Sequence, residues 1–256
     1  MKRLSLKLPL VLIATNKMNP ITSNPTYNFV IGKIEELCSK NNIDESHGVL
    51  HAITVATHAW KALIELNLDE PTINNVILAS LLHDVDDHKY YDTVDYANAR
   101  AILQALADTC SGDTTCNTKF NIEEIISMID LVSYSQNQNQ NTDNIPKYKL
   151  IPQKCDRIEA MGTPGVERCI EYSKHKGNPM HTQDTPLATN TLELRAIMLT
   201  NPVYNGKSAS VIDHCYEKLL KLREKTGNKY IDSEMKMRHV DTVLFVINYC
   251  ASVKSG

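Results

Sequence analysis

Apolar positions recur at spacings of three and four along most of the chain from about residue 27, the pattern of helices that each turn one face inward. Val49, Ile53, Ala56, Trp60 and Leu63 predict a helix that starts near Ser46 and ends before Pro71. Ile73, Val76, Ile77, Ser80 and Leu81 predict a second. Ile122, Ile125, Ile126, Ile129 and Val132 predict a third, after a polar loop containing Cys110, Gly112 and Cys116. Ile158, Met161, Val166, Cys169 and Ile170 keep helical intervals but are interrupted from Gly162 to Gly165, so two short helices are expected to meet at a corner. LELRAIML is a short helix candidate within an irregular stretch over 173–207, rich in Thr, Asn, Pro and His. Helices over Val211 to Leu222 and Met235 to Val253 close the chain. No run alternates with period two between turn residues, so the expected fold is all-α, a single helical bundle with one loop-rich excursion.

The tract SQNQNQNTDNIP can bury almost nothing and reads as a mobile loop. No linker divides the core, so the expected organisation is an N-terminal arm over residues 1–26 and one domain over 27–256. Lys2, Arg3 and Lys7 precede the apolar stretch Leu8 to Ala14, and no acidic residue occurs in the first twenty. That stretch is short for a secretory signal and has no clear cleavage site. A cytoplasmic protein is therefore expected, with organelle or secretory targeting by residues 1–20 as the alternative.

Composition narrows the function classes. Charged residues make up 22%, apolar ones 42%, and the formal net charge is -3. This is ordinary for a globular chain and gives no basic footprint, so nucleic acid is not expected as an obligate partner. Nothing after the first residues approaches the ~20 apolar positions needed to span a bilayer, so no membrane partner is expected either. The seven cysteines include no C-x-x-C pair and are odd in number. They read as small apolar core residues in a reducing compartment. Homo-oligomer formation is left open.

Candidate chemistry centres on His83 and Asp84, adjacent at the end of the apolar run Val76 to Leu82. Side chains on adjacent helical positions point ~100° apart, close enough for both to reach one ion at a helix's inner edge. A catalytic divalent site needs at least three protein ligands and an open position. The helix before the doublet offers His47, His51 and His58, with His47 and His51 one turn apart on a shared face. His58 lies about two turns beyond His51, too far to reach the same ion, and reads as a packing or surface residue. Downstream, Asp156 stands among apolar neighbours in KCDRIEAMG, where an uncompensated charge is costly and a metal would offset it. An N-cap of a helix starting at Arg157 is its competing reading.

Four ordered blocks, SHGVLHAITV, LASLLHDVDDHKY, KCDRIEAMGTPGVERCIEY and VIDHCYEKLLKL, resemble the HD-domain metal-dependent phosphohydrolases, and among them the YedJ-like branch of small HD hydrolases. The resemblance spans about Ile43 to Arg238. It implies a helical hydrolase with the ligand set His51, His83, Asp84 and Asp156. It also implies one divalent metal, with Mn, Mg, Co, Fe and Zn not distinguished, and a nucleotide or other small phosphorylated metabolite as substrate. The chain departs from the branch at Gly48, where an Asp is usual, at Thr54, where an Arg is usual, and in QKC before Asp156, where relatives carry a further Asp. These departures flank the ligands and leave all four in place.

Around that set, Asp87 is the candidate water-orienting carboxylate or proton donor, by analogy with alarmone hydrolases of the same superfamily, and Lys89 the candidate phosphate contact. His47, Arg157, His214 and Lys218 are candidate substrate-binding residues. Arg157 could equally serve a structural ion pair, and Asp213 gives His214 a local partner. Two other functions compete with phosphoester hydrolysis. One is a catalytically silent HD-fold protein that binds a regulatory ligand. The other is a di-iron oxygenase, which would need more histidines near the doublet than His88 supplies.

Overall fold

A computed structural model describes residues 19–43, 47–112, 118–133, 142, 144–200, 204 and 206–255. The targeting expectation for residues 1–20 falls almost wholly outside the described residues, as does most of the polar tract at 135–146. Ten α-helices and two short 3-10 turns make up the described fold, with no strand among them. They are α1 Pro25–Asn41, α2 Val49–Leu63, α3 Glu70–Leu82, α4 Ala97–Gly112, α5 Ile122–Asp130, α6 Ile151–Glu159, α7 Gly162–Lys176, α8 Thr191–Thr200, α9 Val211–Glu217 and α10 Lys229–Ser255. The 3-10 turns are Lys147–Leu150 and Leu219–Lys221. None of these helices is long and apolar enough to cross a membrane.

Local sequence sets the helix starts. Asn24, Asp69, Asn121 and Ser210 each accept a backbone N–H at the first turn of α1, α3, α5 and α9. Pro71 falls at the start of α3, where its missing N–H costs nothing.

The helix α3 is the centre of the bundle. Every residue from Asn74 to Leu82 is buried, and α1, α2, α5 and α6 pack around it. The amphipathic face expected for this segment is therefore exceeded, because a helix enclosed on all sides needs no polar face. In α2 the buried face is offset from the expected one. Ala52, Val55, Ala56, Ala59 and Ala62 face inward, whereas Val49, Ile53 and Trp60 are only partly covered. Small alanines let α2 approach α3 and α6 closely, and hydrophobicity alone does not distinguish that face.

Several boundaries differ from expectation. Cys110 and Gly112 belong to α4 and not to a loop, and Cys110 takes part in a disulfide, so it is not a simple core thiol. Cys38, Cys155, Cys215 and Cys250 are free and buried, as expected of core residues. The packed body begins before residue 27, since Ile21 is fully buried in the core and Asn19 bonds Thr57. Asp156 lies within α6, so it does not cap a helix starting at Arg157. The corner between α6 and α7 occurs as expected. Gly162 turns it with φ +70, and a Cβ on Gly165 would stand 2.2 Å from the Ala160 carbonyl.

A buried ionic cluster ties α2, α6 and α10 together. The Glu159 carboxylate meets Arg238 Nη2 at 2.7 Å and His58 Nε2 at 3.0 Å, and His58 Nδ1 meets the Tyr230 hydroxyl at 2.6 Å. His58 is thus a packing residue, as expected. The cluster fixes the register of the helix that carries Asp156.

Candidate metal centre

His51 comes from the inner face of α2, His83 caps the C-terminal end of α3 with Asp84 just after it, and Asp156 comes from the middle of α6. The close packing of these three helices brings the four heads together. Nε2 of His51 and Nε2 of His83 lie 3.2 Å apart. One Asp156 oxygen stands 3.4 Å from His51 Nε2 and 3.7 Å from His83 Nε2. The Asp84 oxygens stand 3.6 Å from His51 Nε2 and 3.4 Å from His83 Nε2. Donor atoms of His51, His83 and Asp156 all lie within 4.8 Å of one another. Asp84 borders this triad through its contacts to both rings.

The donor chemistry fits a divalent ion. His83 Nδ1 faces the Ser80 carbonyl at 2.9 Å, which assigns the ring proton to Nδ1 and leaves the Nε2 lone pair aimed at the cluster. Two imidazoles and two carboxylates are harder than a thiolate set and suit Mn²⁺, Mg²⁺, Co²⁺ or Fe²⁺ as well as Zn²⁺. Without an ion the cluster stores a proton. Burial opposes charge on His83, but Asp84 and Asp156 outweigh it and hold its pKa up at about 9. Asp84 and Asp156 are lowered, since their attraction to the two histidines overcomes burial. His51 is lowered, chiefly by burial.

No family model matches the chain. An uncharacterized protein of Acanthamoeba polyphaga mimivirus is 33% identical over 230 residues, 84% of this chain and 93% of that protein. Among solved structures, one from Lactobacillus plantarum is similar with a TM-score of 0.61 at 21% identity, over 89% of this chain and 98% of its own. An HD-superfamily hydrolase of Bacillus thuringiensis is similar with a TM-score of 0.59 at 18% identity, over 90% of this chain and 97% of its own. The chain has the fold of that HD-superfamily hydrolase. YpgQ of Bacillus subtilis, in a complex with ADP, shares the HD fold with a TM-score of 0.55 at 16% identity, over 86% of this chain and 95% of its own.

Beside this cluster, His47 bonds Asp84 Oδ2 through Nδ1 at 3.1 Å and packs against Tyr90, with the rings tilted by 44° and their centroids 4.9 Å apart. Arg168, from α7, leans over His51 and His47, with Nη1 3.4 Å from His51 Nδ1 and Nη2 3.3 Å from His47 Nδ1. Lys218 follows α9 and lies half-buried; its pKa is lowered by burial and by Lys89 and Arg168, while Asp156 pulls the other way. His214, one turn earlier, is lowered to about 3 by burial and by Lys218 and Lys89. It bonds Ser208 at 3.2 Å, while Asp213 is taken by Thr185 and Ser210. A cation-rich wall thus flanks the cluster of His51, His83 and Asp156.

Two candidates stand differently. Asp87 holds Lys89 at 3.2 Å and accepts its backbone N–H at 3.0 Å, so its carboxylate shapes the loop after α3. Arg157 pairs with Glu224 at 2.8 Å, the structural ion pair weighed for it, and Lys154 reaches the same carboxylate oxygen at 2.8 Å. Arg168 and Tyr90 were not singled out in the sequence. Arg168 is one of many charged residues on an amphipathic helix, and only the turn at Gly162 aims it at the histidines.

Proposed function

We propose that this protein is a metal-dependent phosphohydrolase that cleaves a phosphoester in a nucleotide or other small phosphorylated metabolite. The observation that carries this reading is the convergence of His51, His83, Asp84 and Asp156 beside the cations Arg168, Lys89 and Lys218. A hydrolase that acts on phosphate needs both halves, a divalent site and a place for anionic oxygens. The fold shared with the Bacillus thuringiensis hydrolase and with YpgQ, crystallised with ADP, supports it.

His51, His83, Asp84 and Asp156 would hold one divalent ion. Bound there, it supplies Lewis acidity that lowers the pKa of water towards neutrality and offsets charge on phosphoryl oxygens. The chain's own residues do the rest. Asp84 orients His47 through Nδ1, which places a ring nitrogen next to the ligands for proton transfer at the reacting oxygens. Arg168 presents a planar fork suited to two phosphate oxygens, and Lys218, crowded by other cations, gains most from an anion beside it. Lys89 adds a further charge from the loop after α3.

The test is metal analysis of the purified protein together with a phosphate-release screen over nucleotides and sugar phosphates after loading with Mn²⁺, Co²⁺ or Mg²⁺. Release that disappears in Asp84→Ala and Asp156→Ala is expected. Protein that binds these ions yet releases phosphate from no substrate overturns the reading.

A further inference from the structure

His214 is an imidazole outside the cluster of His51, His83 and Asp156. Its partners decide what the ring can do. The Ser208 hydroxyl donates to Glu217 Oε2 at 2.5 Å and lies 3.2 Å from His214 Nδ1. A hydroxyl carries one proton, and Ser208 gives it to a carboxylate, so only its lone pairs face the ring. Nδ1 therefore carries the ring proton and donates it to Ser208. Asp213 does not compete, because its carboxylate is turned to Thr185 and Ser210. The order Glu217, Ser208, His214 also differs from a nucleophilic triad, in which the imidazole stands between the acid and the hydroxyl.

Nε2, across the ring from Ser208, takes no hydrogen bond from the described residues. Burial and the charges of Lys218 and Lys89 keep a second proton off the ring, lowering His214 to about 3. Tyr204 meets His214 edge-on with ring centroids 5.0 Å apart, and Lys218 Nζ lies 5.4 Å from the centroid of the same Tyr204 ring, so imidazole and ammonium share one wall. The ammonium groups of that wall are donors, whereas Nε2 is an acceptor. Phosphoryl oxygens suit the ammonium groups and are repelled at Nε2, where lone pair would meet lone pair. A group with a proton to give is what Nε2 takes.

We propose that His214 Nε2 accepts a substrate hydroxyl next to the phosphate, with Glu217 and Ser208 as positioning residues that hold the ring in this tautomer. His214 is then a specificity residue that selects phosphoesters of hydroxylated alcohols over those of plain alkyl alcohols. This rests on the phosphohydrolase reading and narrows its substrate class.

Two measurements on the full, Mg²⁺-loaded protein test it. Nitrogen NMR of the labelled histidine rings, with His214 assigned by its loss in His214→Phe, is expected to show Nδ1 protonated and Nε2 bare from about pH 5 to 8. Ser208→Ala is expected to shift that ring towards the Nε2–H form. Calorimetric titration then compares the phosphonate analogues of glycerol phosphate and propyl phosphate, which resist hydrolysis, carry the same charge and differ only in hydroxyls. His214→Phe is expected to reduce the ratio of glycerol to propyl affinity about fivefold, and Ser208→Ala about threefold. A wild-type His214 protonated at Nε2, a ratio unchanged in either variant, or a wild-type protein that prefers neither ligand overturns the inference. Phosphate release from glycerol phosphate and sugar phosphates, measured in parallel, separates the two claims. Hydroxyl preference without release defeats hydrolysis alone, and release without that preference defeats the role of His214 alone.

Discussion

Nε2 of His51 and Nε2 of His83 stand 3.2 Å apart, each buried and each next to a carboxylate oxygen of Asp156. Two ring nitrogens at that distance share a proton or an ion, because two lone pairs facing each other without either are repulsive. Asp156 decides between them by supplying the charge a divalent ion needs. Replacing Asp156 with Asn keeps the shape and removes that charge. Metal affinity should fall by at least about a hundredfold, read by competition with a chromogenic chelator, while the helical circular dichroism signal stays unchanged.

Metal binding should strengthen as pH rises. His83 holds its proton up to about 9 in the ion-free cluster and must release it to coordinate. Below that value, apparent affinity should grow by up to about tenfold per pH unit, with proton release measurable by calorimetry in buffers of different ionisation enthalpy. The same shift acts on stability with the opposite sign. A histidine raised in the folded state stabilises it fully below the unfolded value near 6.5 and loses that contribution as pH rises through 9. The chelator-treated protein should therefore lose thermal stability between about pH 6.5 and 9, and the Mn²⁺-loaded protein should not.

Arg168→Ala should weaken phosphate recognition without emptying the metal site. A fork on phosphate oxygens is worth ~1.5–3 kcal/mol, so KM should rise about tenfold or more in steady-state assays, with metal content unchanged. Arg168→Lys should recover only part of the loss, because an ammonium cannot span two oxygens. Metal loss in Arg168→Ala would instead assign the residue to the ligand shell.

The Glu159 cluster predicts a stability effect. Removing its carboxylate leaves Arg238 and His58 without their shared partner, and breaking such a pair costs about 3 kcal/mol or more. Glu159→Ala should lower the denaturant midpoint accordingly. Since α6 also carries Asp156, metal affinity should drop as well, less than in Asp156→Asn.

Gly165→Ala probes the corner. The added Cβ would stand 2.2 Å from the Ala160 carbonyl, so backbone must move. A loss of at least about 2 kcal/mol in unfolding free energy is expected, with displacement of the α7 start that aims Arg168. An unchanged thermal midpoint would show that the corner relaxes freely.

How far the site was legible depended on the residue. His83 and Asp84 stood out because adjacent ligand types follow an uninterrupted apolar run, and the resemblance supplied His51 and Asp156. Packing shows why His51 and His47 differ: His47 precedes α2, and only His51 is deep enough to meet His83. Arg157 and Arg168 show the converse. Both are arginines on helices beside the site, and position in the chain favoured the first, whereas the corner at Gly162 turns the second onto the histidines and leaves the first to Glu224. The α4 segment was hidden because its Cys, Ser, Gly and Thr residues mask the short apolar repeat of Ala99, Ile102, Leu103 and Leu106.

The sequence by itself determined the all-α class, the glycine corner and the donor chemistry, because helical periodicity, glycine conformation and side-chain ligand type are local properties. Tertiary structure decided the rest. Ala52, Ala56 and Ala59 let α2 close on α3 and α6, and that approach brings donor atoms of residues 51, 83 and 156 within 4.8 Å of one another, with Asp84 beside them.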